Sequence, residues 1–247
     1  MTEFDAVIAQ VGVRFRCRNE ECRDFFKNYE TRLDLGPRLI AQASDEELEN
    51  ARREIPGISD VYAEFTALYR PLAEFMPSDG GFVFHGACVS YDGGGYLFTA
   101  PSGTGKSTHI RLWKQYLGRP IDIVNGDKPI ITAREGEPVT IHGTPWAGKE
   151  RWQKNRRVPL RGICLVTRGK PSVRRANPGD HLGFLLKQTF FCDKEGVNET
   201  TLTLMDRVLR EVPLWIMECD ISREAAKRSF EAMTGADFDS VASGQGE

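Results

Sequence analysis

The chain has 247 residues, 40% of them hydrophobic and 28% charged, with a formal net charge of -2. That length can bury one sizeable core, or one core with an appended lobe, and it needs no disulfide staples. No window approaches the roughly 18 consecutive apolar residues of a membrane span, and the start MTEFDAVIAQVGVRFRC lacks a basic stretch ahead of a long apolar run, so the expectation is a cytoplasmic protein without signal peptide or membrane contact.

Residues 6 to 17 alternate as one strand would. Cys17 and Cys22 flank RNEE, a spacing that fits no zinc knuckle without a second pair, and Cys88, Cys164, Cys192 and Cys219 do not supply one. Buried free thiols are the expectation for all six. Ser44 with Glu47 forms a capping box that opens the helix SDEELENARREI, and Pro56-Gly57 stops it. In DVYAEFTALYRPLAEFM, Val61, Phe65, Leu68, Tyr69, Leu72 and Phe75 fall near helical spacing, and Pro71 should kink or restart the helix. Residues 1–78 therefore read as a strand-and-helix lobe packed on a second domain, with no catalytic signature of its own.

From Gly81 the texture changes. FVFHGACVS and GYLFTA are short β-rich runs joined by the glycine-rich loop from Tyr91 to Gly95, which predicts an antiparallel hairpin. The second strand runs into APSGTGKST, and KSTHIRLWKQYL follows with helical apolar spacing at Ile110, Trp113 and Leu117, ended by Gly118 and Pro120. Strand, glycine turn and helix opening at Lys-Ser form the context in which a phosphate-binding loop has physical meaning. Ser102, Gly103, Thr104, Gly105, Lys106, Ser107 and Thr108 are the expected cradle. Backbone N–H groups curl around the phosphates, the helix N-terminus adds partial positive charge, Lys106 reaches the terminal phosphates and Ser107 ligates Mg²⁺. Ala100 stands where such a loop usually begins with glycine, before the turn tightens, so its methyl should be tolerated.

A phosphate loop also needs a carboxylate, usually at the end of a neighbouring strand. IDIVNGDKPIIT supplies Asp127, twenty-one residues after Lys106, with room for one helix between. A bare hairpin turn at Asn125-Gly126-Asp127-Lys128 is the competing reading of those residues.

On these motifs the chain resembles the superfamily of HPr kinase and phosphoenolpyruvate carboxykinase, and HPr-kinase-like proteins more closely, because His85 in FHGACVS precedes the loop where those kinases carry a His-Gly. The resemblance covers roughly residues 80 to 170. It implies an α/β fold, a mixed sheet core with a P-loop of that nucleotide-binding type, beside a smaller N-terminal α+β lobe. It also implies ATP and Mg²⁺ as cofactors, Asp127 as base on the acceptor hydroxyl or metal partner, and His85 as the group that orients that carboxylate. The family usually has two adjacent aspartates, and here the pair reads Gly126-Asp127.

The segment IHGTPWAGKERWQKNRRVPLRGICLVTRG predicts a strand end at Ile141, a long polar loop and an apolar strand at GICLV. Loops longer than about 12 residues are usually functional or disordered, so a lid over the γ-phosphate is expected, with Lys149 as a second phosphate contact, Arg156 or Arg157 next, and Trp146 and Trp152 as packing anchors. From Lys149 to Arg175 ten Lys or Arg face one acid, Glu150. The C-terminal half of that run reads as a charged sheet edge, and the absence of a helix-turn-helix pattern or an aromatic platform argues against nucleic acid.

DHLGFLLKQTFF and TTLTLMDRVLREV read as helices, PLWIMEC as a buried strand and SREAAKRSFEAM as a helix capped by Ser222; residues 79–235 then form the nucleotide-binding domain, and 236–247 a fraying tail. Two functions remain. One is an ATP-dependent kinase acting on a hydroxyl of a peptide, protein or small metabolite, with a homo-oligomer compatible; the other is a non-catalytic nucleotide-binding sensor or scaffold. Carboxykinase activity ranks below both, since the extra metal ligands have no counterpart here.

Overall fold

The computed structural model describes residues 1–244. The N-terminal run is a hairpin rather than one strand, β1 (Thr2–Ile8) and β2 (Val11–Cys17), turned at Ala9 and Gln10 with φ of 49° and 70°. The parity of the buried positions switches there, from Phe4, Ala6 and Ile8 to Val11, Val13, Phe15 and Cys17, so each strand keeps its apolar face inward. A 3₁₀ segment, Glu20–Phe26, leads to β3 (Leu39–Gln42), which pairs parallel to β2 and completes a three-stranded sheet.

Helix α1 (Asp45–Glu54) opens on the expected capping box: Glu47 N–H donates to Ser44 Oγ, and Ser44 N–H to the Glu47 carboxylate. Then α2 (Asp60–Ala67) and α3 (Tyr69–Phe75) break at Leu68, because Pro71 has no N–H to give the carbonyl of Ala67. Phe15, Phe26, Phe65, Leu68, Leu72 and Met76 fill the core of this lobe, which reaches across to Val83, Ile130 and Trp146.

The rest is built on a nine-stranded mixed sheet. The run 82–90 does not form one strand: β4 (Gly81–Val83) pairs with β8 (Ile130–Thr132), whereas β5 (Ala87–Tyr91) pairs with β6 (Gly94–Thr99) and β7 (Asp122–Asn125). The β5–β6 hairpin turns on Asp92 and Gly93, φ 46° and 69°. Helix α4 (Lys106–Leu117) follows β6. Because β7 and β8 join different halves of the sheet, Asn125 to Pro129 is a crossing and not a hairpin turn.

Next come β9 (Thr140–His142) and the long β10 (Arg157–Arg168), whose start pairs with β9 and whose end lies between β6 and β12, parallel to both. The sheet edge is β11 (Ser172–Arg175), with Arg174 and Arg175 exposed, as the charge run predicts. Helices α5 (Leu182–Lys187) and α6 (Val197–Glu211) cover one face, and α7 (Arg223–Thr234) joins α4 on the other, with β12 (Leu214–Cys219) between α6 and α7 in the chain.

The expectation of a fraying tail is corrected over its first residues. Asp237 caps α8 (Phe238–Ser243) by accepting from Ser240 N–H, and Phe238 is fully buried against Phe230 and Tyr116. An aromatic ring that completes a core holds its own backbone down; residues 245–247 lie outside the described residues. All six cysteines are free and buried, and among the described residues no helix is long and apolar enough to cross a membrane.

Candidate active site

Two chain crossings meet where the two halves of the sheet diverge. Phe84-His85-Gly86 crosses from β4 to β5, and Gly126-Asp127-Lys128 from β7 to β8. They hold each other through the backbone, with Phe84 N–H donating to Pro129 O at 3.1 Å and Gly86 N–H to Asp127 O at 2.8 Å. The glycine loop leaves the end of β6 beside them. Clefts outside the ends of strands at such a divergence are where open α/β sheets bind ligands.

The cleft here encloses about 1060 Å³ and is lined by His85, Ser102, Gly103, Gly105, Lys106, Ser107, Thr108, Asp127 and Lys149 from the expected set. Thr104 does not line it; its carbonyl is turned to Arg168 instead. The opposite wall comes from the N-terminal lobe, through Phe25, Tyr62 and Phe65. A second hollow of about 460 Å³, on the first hairpin, is lined by Glu3, Asp5, Arg23 and Glu30, which are already ion-paired.

Gly103 and Gly105 hold the positive φ values of the loop, 76° and 123°, whereas Ala100 has none and is fully buried under the strand end, so the methyl there is packed and unstrained. No side chain caps the N-terminus of α4, and its first turn carries no acid, so its free N–H groups and partial positive charge face the cleft. Lys106 is 7% exposed, and its Nζ donates to Ala100 O at 2.8 Å. Burial pushes its ammonium below the ordinary lysine range, against the pull of Asp127 and with the push of Lys128. Ser107 Oγ has no protein partner among the described residues.

Asp127 is the electrostatic centre. His85 Nε2 lies 3.3 Å from one carboxylate oxygen and Lys128 Nζ 3.1 Å from the other. Burial pushes this carboxyl up, but the hydrogen bond from His85 and the charge of Lys128 outweigh it and hold it at about 2. An ionised carboxylate only accepts, so His85 presents N–H from Nε2; its Nδ1 lies 3.0 Å from the side-chain amide of Gln188, and its backbone N–H donates to Gln188 O at 2.7 Å. Beneath Asp127, the buried amide of Asn125 accepts from the N–H groups of Asp127 and Lys128, both at 2.8 Å, and donates to Thr144 O at 2.9 Å.

Gly126 leaves no room for a side chain unless neighbouring backbone shifts. A Cβ there would lie 2.8 Å from Ala147 O and 3.7 Å from the Trp152 side chain. Residues 143–156 form the expected long loop between β9 and β10, and its first turn is pinned: Trp146 is 5% exposed, stacks on Phe65 and donates its Nε1–H to Phe65 O at 2.8 Å. The expected packing role of Trp146 is what the structure has. Lys149 is exposed on the cleft rim, Arg156 is drawn to Asp122, and Arg157 is exposed on β10.

No family model and no curated protein sequence matches this chain. Among solved structures, the HPr(Ser) kinase/phosphatase from Coxiella burnetii is similar at 12% identity and TM-score 0.35, over 62% of this chain and 99% of that one. That likeness is distant; what the cleft can do chemically follows from its own residues.

Three groups escape sequence reading. Lys128 shares Asp127 but looks like a turn residue. Gln188 lies over a hundred positions from His85. Arg168, at the end of β10, donates to Gly103 O at 2.8 Å and to Thr104 O at 3.3 Å, which ties two loop carbonyls to its guanidinium; its exposure and basic neighbours hid it in the charge run.

The donor set suits Mg²⁺ only together with a phosphate ligand. Among the described residues no group of three His, Cys, Asp or Glu could hold a metal ion, and Ser107 with one carboxylate is the incomplete set that phosphate oxygens complete.

Proposed function

We propose that this chain is an ATP-dependent phosphotransferase of the HPr-kinase-like P-loop type, which moves the γ-phosphoryl group onto a hydroxyl of a peptide or protein serine or of a small metabolite. One juxtaposition carries the reading: Lys106, Asp127 and His85 line a single cleft above an uncapped helix N-terminus. The α4 N-terminus and the loop N–H groups of residues 102–108 bind the phosphate chain, and Lys106 exchanges its bond to Ala100 O for the terminal phosphates. Ser107 and Asp127 are the residues that would hold Mg²⁺, whose charge favours the leaving oxygen.

The acceptor oxygen forms its bond to the γ-phosphorus as the bond to the bridging oxygen breaks, and that electron pair leaves on ADP. The acceptor proton passes to Asp127. A carboxylate held at about 2 is a weak base, so it orients the hydroxyl early and takes the proton late, which suits a loose transition state. His85, braced by Gln188, fixes the rotamer of that carboxylate. Positioning and preorganised charge supply most of the acceleration.

A second reading, a nucleotide-binding sensor or scaffold without turnover, draws on Gly126, where a second carboxylate does not fit. The deciding experiment gives the protein γ-labelled ATP with Mg²⁺ and host extract split into protein and small-molecule fractions. Label entering one fraction with the wild type, and not with Asp127→Asn or Lys106→Ala, is the kinase outcome. Transfer that survives both variants means the site is misplaced. ATP binding without transfer to any fraction favours the sensor. Lys149→Glu should weaken acceptor use more than ADP binding.

A further inference from the structure

Asp127 carries a partner that the mechanism above leaves idle. Lys128 lines the cleft with its side chain 36% exposed, its Nζ 3.1 Å from Asp127 and 5.8 Å from the ring centre of Tyr69. Its backbone is among the most firmly held in the site: the N–H donates to Asn125 Oδ1 at 2.8 Å and to Trp146 O at 3.2 Å, and the carbonyl accepts from Thr144 Oγ1 at 2.7 Å. Asn125 and Thr144 are themselves buried. A flexible ammonium therefore swings from a rigid anchor, unlike Lys149, which rides on an exposed stretch of loop.

The ion pair that parks this ammonium is easily exchanged. With the Lys128 side chain 36% exposed, water already competes for its ammonium, and His85 continues to donate to Asp127 when Lys128 leaves. The cleft also has a use for the charge. A triphosphate brings several negative charges beside the one on Asp127, a side chain at 126 would run into Ala147 O, and among the described residues no group of three His, Cys, Asp or Glu could hold a metal ion. An ammonium on the Asp127 rim meets that charge without a second divalent ion.

We propose that Lys128 is a phosphate-binding cation specific for the γ-position, and that its ammonium moves from Asp127 to the γ-phosphoryl group when a nucleoside triphosphate occupies the cleft. The inference rests on the phosphotransferase reading, and adds to it a residue that distinguishes triphosphate from diphosphate. Its departure also frees one carboxylate oxygen of Asp127 toward the acceptor hydroxyl.

The test is equilibrium binding of ADP and of the β,γ-imido analogue of ATP, each with Mg²⁺, to the wild type, Lys128→Met and Lys128→Arg. A lost charge-assisted bond should weaken the analogue by about 10- to 100-fold in Lys128→Met and ADP by less than about threefold. Lys128→Arg, which keeps the charge, should recover most of the affinity for the analogue and serves as the folding control. Equal losses for both nucleotides, or no loss, overturn the proposal while the phosphotransferase reading stands. A wild type that binds neither nucleotide overturns both.

Discussion

Gly126→Ala tests why this site has one carboxylate. The backbone at 126 does not lie in the left-handed region, so an alanine there meets no intrinsic strain; the whole effect comes from a Cβ 2.8 Å from Ala147 O. That oxygen belongs to backbone, in a loop tethered by Trp146 to Phe65, and cannot retreat as the end of a side chain would. Overpacking of this kind costs about 1–3 kcal/mol. For a chain of this size each kcal/mol moves the melting temperature by about 2–4 °C, so the variant should melt roughly 2–12 °C below wild type. Isothermal titration with ADP should show weaker binding as well, since the displaced loop carries the cleft rim. Gly126→Asp should be worse on both counts, because it adds a second anion beside Asp127, and should not gain divalent-ion affinity. If Gly126→Ala melts within a degree of wild type and binds ADP unchanged, the loop yields freely and position 126 is not closed.

Arg168→Gln removes the guanidinium bonds to Gly103 O and Thr104 O, and should weaken ADP binding about 3- to 10-fold with the melting temperature nearly constant; unchanged affinity would mean the loop holds its own shape. Phe238→Ala should cost about 3–5 kcal/mol in urea unfolding, and a loss below about 1 kcal/mol would restore the fraying tail. The Asp127 carboxyl is held at about 2 against an ordinary 3.8, so its ionised form contributes stability that is complete above pH 3.8 and lost as the pH falls towards 2. Urea unfolding of wild type against Asp127→Asn should therefore show a difference that shrinks by about 2 kcal/mol from pH 5 towards pH 2. A difference independent of pH refutes the pairing with His85 and Lys128.

The legible parts of the sequence were those whose signal is local. The capping box at Ser44, the strand–loop–helix around Lys106 and the Asp92-Gly93 turn are each written within a few residues, and each forms as written. Local signals failed where tertiary pairing decides. Ala9 and Gln10 turn a hairpin with no glycine, betrayed only by a change of parity in the apolar alternation. The run from Phe82 to Ser90 looks continuous, yet splits at His85 because its two ends bind different strands. Of the site, Asp127 was readable by its spacing from Lys106. Gln188 and Arg168 were not, since each depends on a partner brought near only by the folded sheet, and Lys128 read as a turn residue.

Trp146 has one more consequence. Its indole belongs at once to the core of the N-terminal lobe and to the loop that rims the cleft, so neither can be treated as a replaceable module. Any ligand that ordered the rim through this indole would, by reciprocity, bind more strongly to a stiffer lobe. The N-terminal lobe also meets the cleft directly, through Phe25, Tyr62 and Phe65, so the order of the lobe and the shape of the cleft are one problem. Removing residues 1–78 would take away that wall of the cleft and leave Trp146 without the ring of Phe65 to stack on.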